Sequence, residues 1–67
     1  MRTERSVRKE VAALEKTIAR LEGQKASTDQ QLLAATDPAE ALRLHHELVS
    51  LKAELEAAEE RWLRLQD

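Results

Sequence analysis

The sequence has 67 residues, of which 42% are hydrophobic and 36% charged, with one tryptophan, no tyrosine or phenylalanine, and no cysteine. So short a chain holds one domain at most and has few side chains for a globular core. The absence of cysteine excludes disulfides and sulfur-bound zinc. No apolar run approaches the ~20 residues that cross a bilayer. The net charge of −2 does not by itself indicate nucleic acid, and the composition is typical of long helices that pack on each other.

The first predicted helix spans residues 3–35. Its apolar residues recur at alternating intervals of four and three, which predicts a heptad seam: Val7, Val11, Leu14, Ile18, Leu21 and Leu32. Lys25 and Thr28 occupy seam positions in the same spacing, and Gly23 in mid-helix costs about 1 kcal/mol relative to Ala. Residues 23–29 are therefore either a flexible joint or a tolerated defect that solvent covers.

The predicted turn lies at residues 36–37 and carries the strongest local signal in the chain. Asp37 is a candidate N-cap, Pro38 suits the first helical position, and Glu40 completes a capping box. A connection this short makes the two helices antiparallel neighbours.

The second predicted helix spans residues 38–66 and carries the same alternation of intervals, in Leu44, Leu48, Leu51, Leu55, Ala58, Trp62 and Leu65. Seam residues pair across the hairpin when their numbers add to 76, which predicts pairs such as Val11 with Leu65, Ile18 with Ala58 and Leu21 with Leu55. In this register Glu22 lies near Lys52, an attractive arrangement, and Glu15 meets Glu59 unfavourably.

The sequence thus predicts an all-α, antiparallel two-helix coiled-coil hairpin that forms a single domain over residues 1–67, as a rod about 40–50 Å long at 1.5 Å per residue. We expect no cleft for a small-molecule substrate, no catalytic residues, no cofactor and no metal. His45 and His46 are adjacent, whereas two histidines on one helix bind a metal at a spacing of three or four.

Trp62 lies on the predicted seam near the free ends of the hairpin. We expect it to pack in the core and cover Leu14, with its indole N–H at the rim. A ligand-stacking or base-stacking platform is the alternative role.

One face of the first helix, turned away from the seam, is basic. Its residues fall on heptad positions f, b and c, and two pairs of like charges stand four residues apart, a spacing that a helix stabilised only by its own contacts would avoid. These nucleic-acid-binding candidates are Arg2, Arg5, Lys9, Lys16 and Arg20. Such a face suits phosphates; the alternative is a solvated charged surface bordered by glutamates.

The second helix carries apolar residues outside the seam, at position b. Leu42, Val49 and Leu63 are the candidates for self-association, either with a second hairpin to form a homodimer or with a host protein. The halves of the chain also differ in charge, because residues 1–36 hold seven basic and five acidic residues, against four and eight in residues 37–67.

The order of these segments resembles a known family. The segments are Val11–Glu22, the turn Ala35-Thr36-Asp37, and Leu51–Leu63 with its ending Glu59-Glu60-Arg61-Trp62. Together they resemble the C-terminal coiled-coil hairpin that follows the second ATPase domain in ABC-F family proteins, including the Uup branch. The resemblance extends from about Arg5 to Leu65.

The resemblance implies a cytoplasmic, non-enzymatic accessory module, a fragment or C-terminal domain of a larger tandem ATPase that acts on ribosomes. Nucleic-acid binding is attributed to this domain in some members, so ribosomal RNA or DNA is the expected partner, and any ATPase activity would lie in domains absent from this chain. The net charge of −2 departs from the basic character expected of such an arm. Self-association or protein docking is the alternative function, and a tRNA-contacting arm similar to that of seryl-tRNA synthetase is a third.

Overall fold

The chain forms a hairpin of two long helices. The computed structural model describes residues 3–66, with helix α1 at Glu4–Ala34 and helix α2 at Pro38–Gln66. The described residues include no strand, and the helices pack against each other. The predicted all-α helical hairpin is confirmed, although α1 is one residue shorter at each end than expected.

Local hydrogen bonds explain where α1 begins and ends. Thr3 has an extended backbone and serves as the N-cap, since its Oγ1 accepts a hydrogen bond from the Ser6 N–H at 3.2 Å. Ala35 leaves the helical region, with φ −68° and ψ 129°, while its N–H still bonds to the Leu32 carbonyl at 3.3 Å. The predicted helix had included both of these capping residues.

The turn forms as the Asp-Pro signal predicts. Asp37 Oδ1 accepts a hydrogen bond from the Ala39 N–H at 3.3 Å, and the Asp37 carbonyl accepts the first helical bond, from the Ala41 N–H at 2.9 Å. The predicted capping box does not form, because Asp37 Oδ1 bonds to the Ala39 N–H rather than to that of Glu40, and the Glu40 carboxylate accepts a hydrogen bond from Arg43 on the same helix. A guanidinium one turn away competes successfully with the Asp37 backbone N–H for this carboxylate.

The hairpin is a rod of 52 × 14 × 13 Å with a radius of gyration of 15.6 Å. A compact domain of this length would have a radius of gyration of about 11 Å. The long dimension slightly exceeds the predicted range. Because each helix buries only one stripe, the outer faces of both helices remain available for contacts with other molecules.

The core is a row of leucines along the seam. Leu44, near the turn, is the most deeply buried at 2% exposure, and a central cluster joins Leu21, Leu51 and Ala58. Half-buried side chains from both helices pack on this cluster: Leu14, Ile18 and Leu55. The predicted partners Leu21 and Leu55, and Ile18 and Ala58, belong to this one apolar group. Leu51, which the register places opposite Lys25, belongs to it as well, so the register stays a prediction.

The polar stretch of the seam does not interrupt α1. Thr28 is buried at 4% exposure and Lys25 is half-buried, which suits a long stem that covers apolar surface while its ammonium stays in water. Gly23 is exposed, and a Cβ built there would meet no atom within 4 Å. The helix runs continuously through residues 23–29, so any joint in this stretch would arise from low local stability rather than from a break.

Candidate functional site

The basic face of α1 is exposed to solvent. Arg5, Lys9, Lys16 and Arg20 are all exposed, because the seam turns the opposite side of the helix toward α2. Arg2, the fifth predicted member, lies outside the described residues. We call the four described residues the basic face.

The four side chains differ from several other basic residues in having no partner. None of them forms a hydrogen bond or an ion pair with a side chain of residues 3–66. By contrast, three arginines are held by glutamates of their own helix: Arg8 by Glu4 at 2.7 Å, Arg64 by Glu60 at 2.9 Å, and Arg43 by Glu40 and Glu47. The basic face therefore keeps its hydrogen-bond donors free for another molecule.

Arg43, near the turn, shows how an ion pair with a glutamate affects a guanidinium. The hydrogen bond from Arg43 to Glu40, together with the charge of that carboxylate, raises the pKa of Arg43 above its ordinary value. Its donors are directed at carboxylates of its own helix, so Arg43 is a poor candidate for contact with phosphate.

The apolar residues predicted for self-association also lie on the surface. Leu42, Val49 and Leu63 are 56%, 52% and 58% exposed, and Leu33 near the turn is 89% exposed. The spacing of seven residues places Leu42, Val49 and Leu63 along one line of α2, but Glu56 occupies the same heptad position between Val49 and Leu63. The line is therefore broken by a charge rather than continuous.

A groove that the sequence did not reveal lies toward the open end of the hairpin, between the two helices. It has a volume of about 400 Å³, and we call it the acidic groove because three of its residues are glutamates. Its lining residues are Glu15, Ile18, Ala19, Glu22, Glu59, Trp62 and Leu63. Glu15 and Glu59 thus share one surface, as the predicted register requires, whereas Glu22 and Lys52 form no ion pair within the described chain.

Trp62 lines this groove in a position that differs from the prediction. Its Nε1 is buried and finds no hydrogen-bond partner within the described residues, so the expectation that the N–H stays at the rim was wrong. A buried donor without an acceptor costs about 1–3 kcal/mol. The favourable packing of the indole ring between the helices therefore outweighs the cost of leaving its N–H without an acceptor.

The described part of the chain carries neither a metal-ligating cluster nor a helix suited to crossing a membrane. No group of three or more His, Cys, Asp or Glu side chains among residues 3–66 is arranged to hold a metal ion. Neither α1 nor α2 combines the length and apolar character that crossing a membrane requires.

Comparison with known proteins identifies the family of this hairpin. The family model described as the ABC transporter C-terminal domain matches residues 2–67. The chain belongs to this family. Neither a comparison with curated proteins nor one with solved structures gave a significant match.

The ABC transporter C-terminal domain therefore includes both helices, the turn, the basic face and the acidic groove. This match agrees with the resemblance to the C-terminal hairpin of ABC-F proteins. The family is described as a C-terminal domain of ABC transporters rather than as an ATPase domain, and this description is consistent with an accessory role.

Proposed function

We propose that this hairpin is the non-catalytic arm of an ABC-F-like, translation-associated ATPase of the cytoplasm, and that it contacts nucleic acid, ribosomal RNA or DNA, through the basic face of α1. ATP hydrolysis belongs in this proposal to other domains of a larger protein. The family of the chain supports its place in an ATP-binding protein, and the basic face supports the kind of partner.

The observation that carries the proposal is the contrast between paired and unpaired cations. Arg5, Lys9, Lys16 and Arg20 are exposed and have no partner among residues 3–66, and no Asp or Glu stands three or four residues from any of them on α1. Because these cations have no partner within the described chain, no ion pair has to break before they bind phosphate. Charge-assisted contacts with phosphate are also stronger than neutral hydrogen bonds.

The spacing of the basic face suits a phosphate backbone. At 1.5 Å per residue, Arg5 and Arg20 stand about 22 Å apart along the helix axis. A duplex carries one negative charge per ~1.7 Å of its axis, so each of the four cations has phosphates within reach over that length. Contacts of this kind add affinity and salt dependence and do not read base sequence.

The elongated shape of the molecule suits contact along an extended partner. The stiff rod of 52 × 14 × 13 Å holds its basic face in line along the half of α1 nearest the free ends of the hairpin. Such an arm can follow the backbone of a nucleic acid without a pocket for a base.

A variant with a matched control tests the proposal. Replacement of Arg5, Lys9, Lys16 and Arg20 with Gln removes four positive charges from α1, and replacement of Arg43, Lys52, Arg61 and Arg64 with Gln removes four from α2. We expect the α1 variant to lose binding to labelled RNA and DNA duplexes and the α2 variant to retain most of it. Helicity, measured by circular dichroism, should be equal in both. Equal loss of binding in the two variants would show that overall charge, rather than the basic face, determines binding.

A second candidate function is self-association, which the exposure of Leu42, Val49 and Leu63 favours. Two hairpins that packed these residues against each other would form a four-helix bundle. Sedimentation over a range of protein concentrations distinguishes the two, because a dimer that dissociates on dilution supports this candidate and a monomer at every concentration opposes it.

A further inference from the structure

The acidic groove combines an apolar floor with a charged rim. Glu15 and Glu22 project from α1 and Glu59 from α2, while Ile18 and Trp62 lie among them. Ala19 and Leu63 complete the lining, so that the groove lies between the helices rather than on one of them. The surface therefore presents negative charge around a patch that favours apolar contact.

The three carboxylates are unpaired within the hairpin. Glu15, Glu22 and Glu59 form no ion pair with a basic side chain of residues 3–66, whereas Glu4, Glu40 and Glu60 each hold an arginine of their own helix. Like charges placed around one groove give rise to mutual repulsion. A cation that entered the groove would relieve it.

The chemistry of the groove defines its occupant. Lysine and arginine side chains combine an apolar stem, which would cover Ile18 and Leu63, with a charged head that would lie among the carboxylates. The indole ring of Trp62 is the aromatic group that attracts such a head most strongly. We propose that the acidic groove docks a basic segment of another polypeptide, with a lysine or arginine side chain seated beside Trp62.

Two other occupants fit the groove less well. Phosphate groups would be repelled by the glutamates, which separates this surface from the basic face. A second copy packed through the same surface would bring six carboxylates together, and a head-to-tail contact between unlike surfaces would extend into a filament unless it closed into a ring. The docking site is thus distinct from the proposed nucleic-acid contact, and either one can fail without the other.

Trp62 provides a direct measurement, because it is the only tryptophan and the chain has no tyrosine. The 67-residue chain is titrated with a short peptide of alternating lysine and alanine, and with a peptide in which glutamate replaces each lysine, while the emission of Trp62 and the mass of the complex are recorded. We expect a saturable change in emission with the lysine peptide alone and a mass of one chain plus peptide.

Variants with matched charge locate the binding. The pair Glu15→Gln and Glu59→Gln should weaken peptide binding about tenfold or more, whereas Glu47→Gln with Glu54→Gln, which removes the same charge outside the groove lining, should leave the affinity within about twofold. Ala19→Lys places a cation in the groove from within the chain and should also block the peptide. Circular dichroism checks that each variant remains helical.

Three results of the peptide titrations would overturn the proposal. These are an equal loss of affinity in the two glutamine pairs, emission that does not change at saturating lysine peptide, and a change in emission that accompanies a dimer mass. The last result would assign the groove to a second copy of the chain. An emission change of the same size with a DNA duplex would equally reject a polypeptide occupant and would assign the groove to nucleic acid.

Discussion

The hydroxyl of Thr28 donates a 2.8 Å hydrogen bond to the carbonyl oxygen of Gln24, one turn earlier in α1. Thr28 is buried in the seam at 4% exposure, so its polar atom is satisfied without any group from α2. The contact between the helices at this layer therefore depends on the shape of the side chain rather than on its hydroxyl. A polar residue in the seam costs the hairpin little stability because its own helix supplies the hydrogen-bond acceptor.

Replacement of Thr28 with Val should accordingly stabilise the hairpin. Val keeps the branched shape, removes a hydroxyl that bonds only within its own helix, and adds a buried methyl group worth about 0.8 kcal/mol. Urea unfolding measures the change in free energy. Thr17→Val is the matched control, since the Thr17 hydroxyl also bonds one turn back, to Ala13 at 3.1 Å, but the residue is only half-buried. A loss of stability in Thr28→Val would mean that the hydroxyl contributes to helix pairing.

Gly23→Ala should also stabilise the hairpin, by about 1 kcal/mol, because Gly is among the poorest residues in a helix interior. A Cβ at this position meets no atom within 4 Å, and Gly23 has no positive φ, so the substitution introduces neither a clash nor strain. Thermal unfolding measures the effect, with Ala26→Gly in the same helix as the reverse control.

The same variant tests whether residues 23–29 form a flexible joint. If they do, their amides exchange faster with solvent than those of the flanking turns, and Gly23→Ala slows that exchange. Exchange as slow as in the rest of α1 would identify the stretch as a tolerated defect.

The burial of two leucines near the turn predicts that their replacement with Ala changes the stability of the hairpin by very different amounts. Leu44 is 2% exposed and Leu33 is 89% exposed. Leu44→Ala should cost about 2–5 kcal/mol, which is most of what a core of this size provides, whereas Leu33→Ala should stay within about 0.5 kcal/mol. Circular dichroism with urea compares them, and a similar loss in both would contradict the assigned seam.

The sequence predicts the fold well because each signal for it is local or periodic. The turn depends on Asp37 and Pro38, whose backbone preferences act within a few residues. The seam follows from intervals of three and four, and an antiparallel hairpin with a short connection allows few registers. Leu21, Leu55, Ile18 and Ala58 accordingly belong to one apolar group between the helices.

The remaining features depend on where side chains point, which periodicity does not specify. Glu40 had two acceptable partners, the Asp37 backbone and Arg43, and the structure selects the arginine. The position of the Trp62 indole N–H likewise depends on the rotation of one ring in the space between the helices. The acidic groove was missed for the same reason, although the predicted closeness of Glu15 and Glu59 was a signal that could have located it.

The most direct test of the proposed nucleic-acid contact is the salt dependence of duplex binding by the 67-residue chain. Contact through the four described cations of the basic face predicts that the logarithm of the binding constant falls with the logarithm of salt concentration at a slope of about −3.6, and that each single substitution with Gln reduces the slope by about 0.9. No binding at low salt, or an unchanged slope after replacement of all four, would contradict the account.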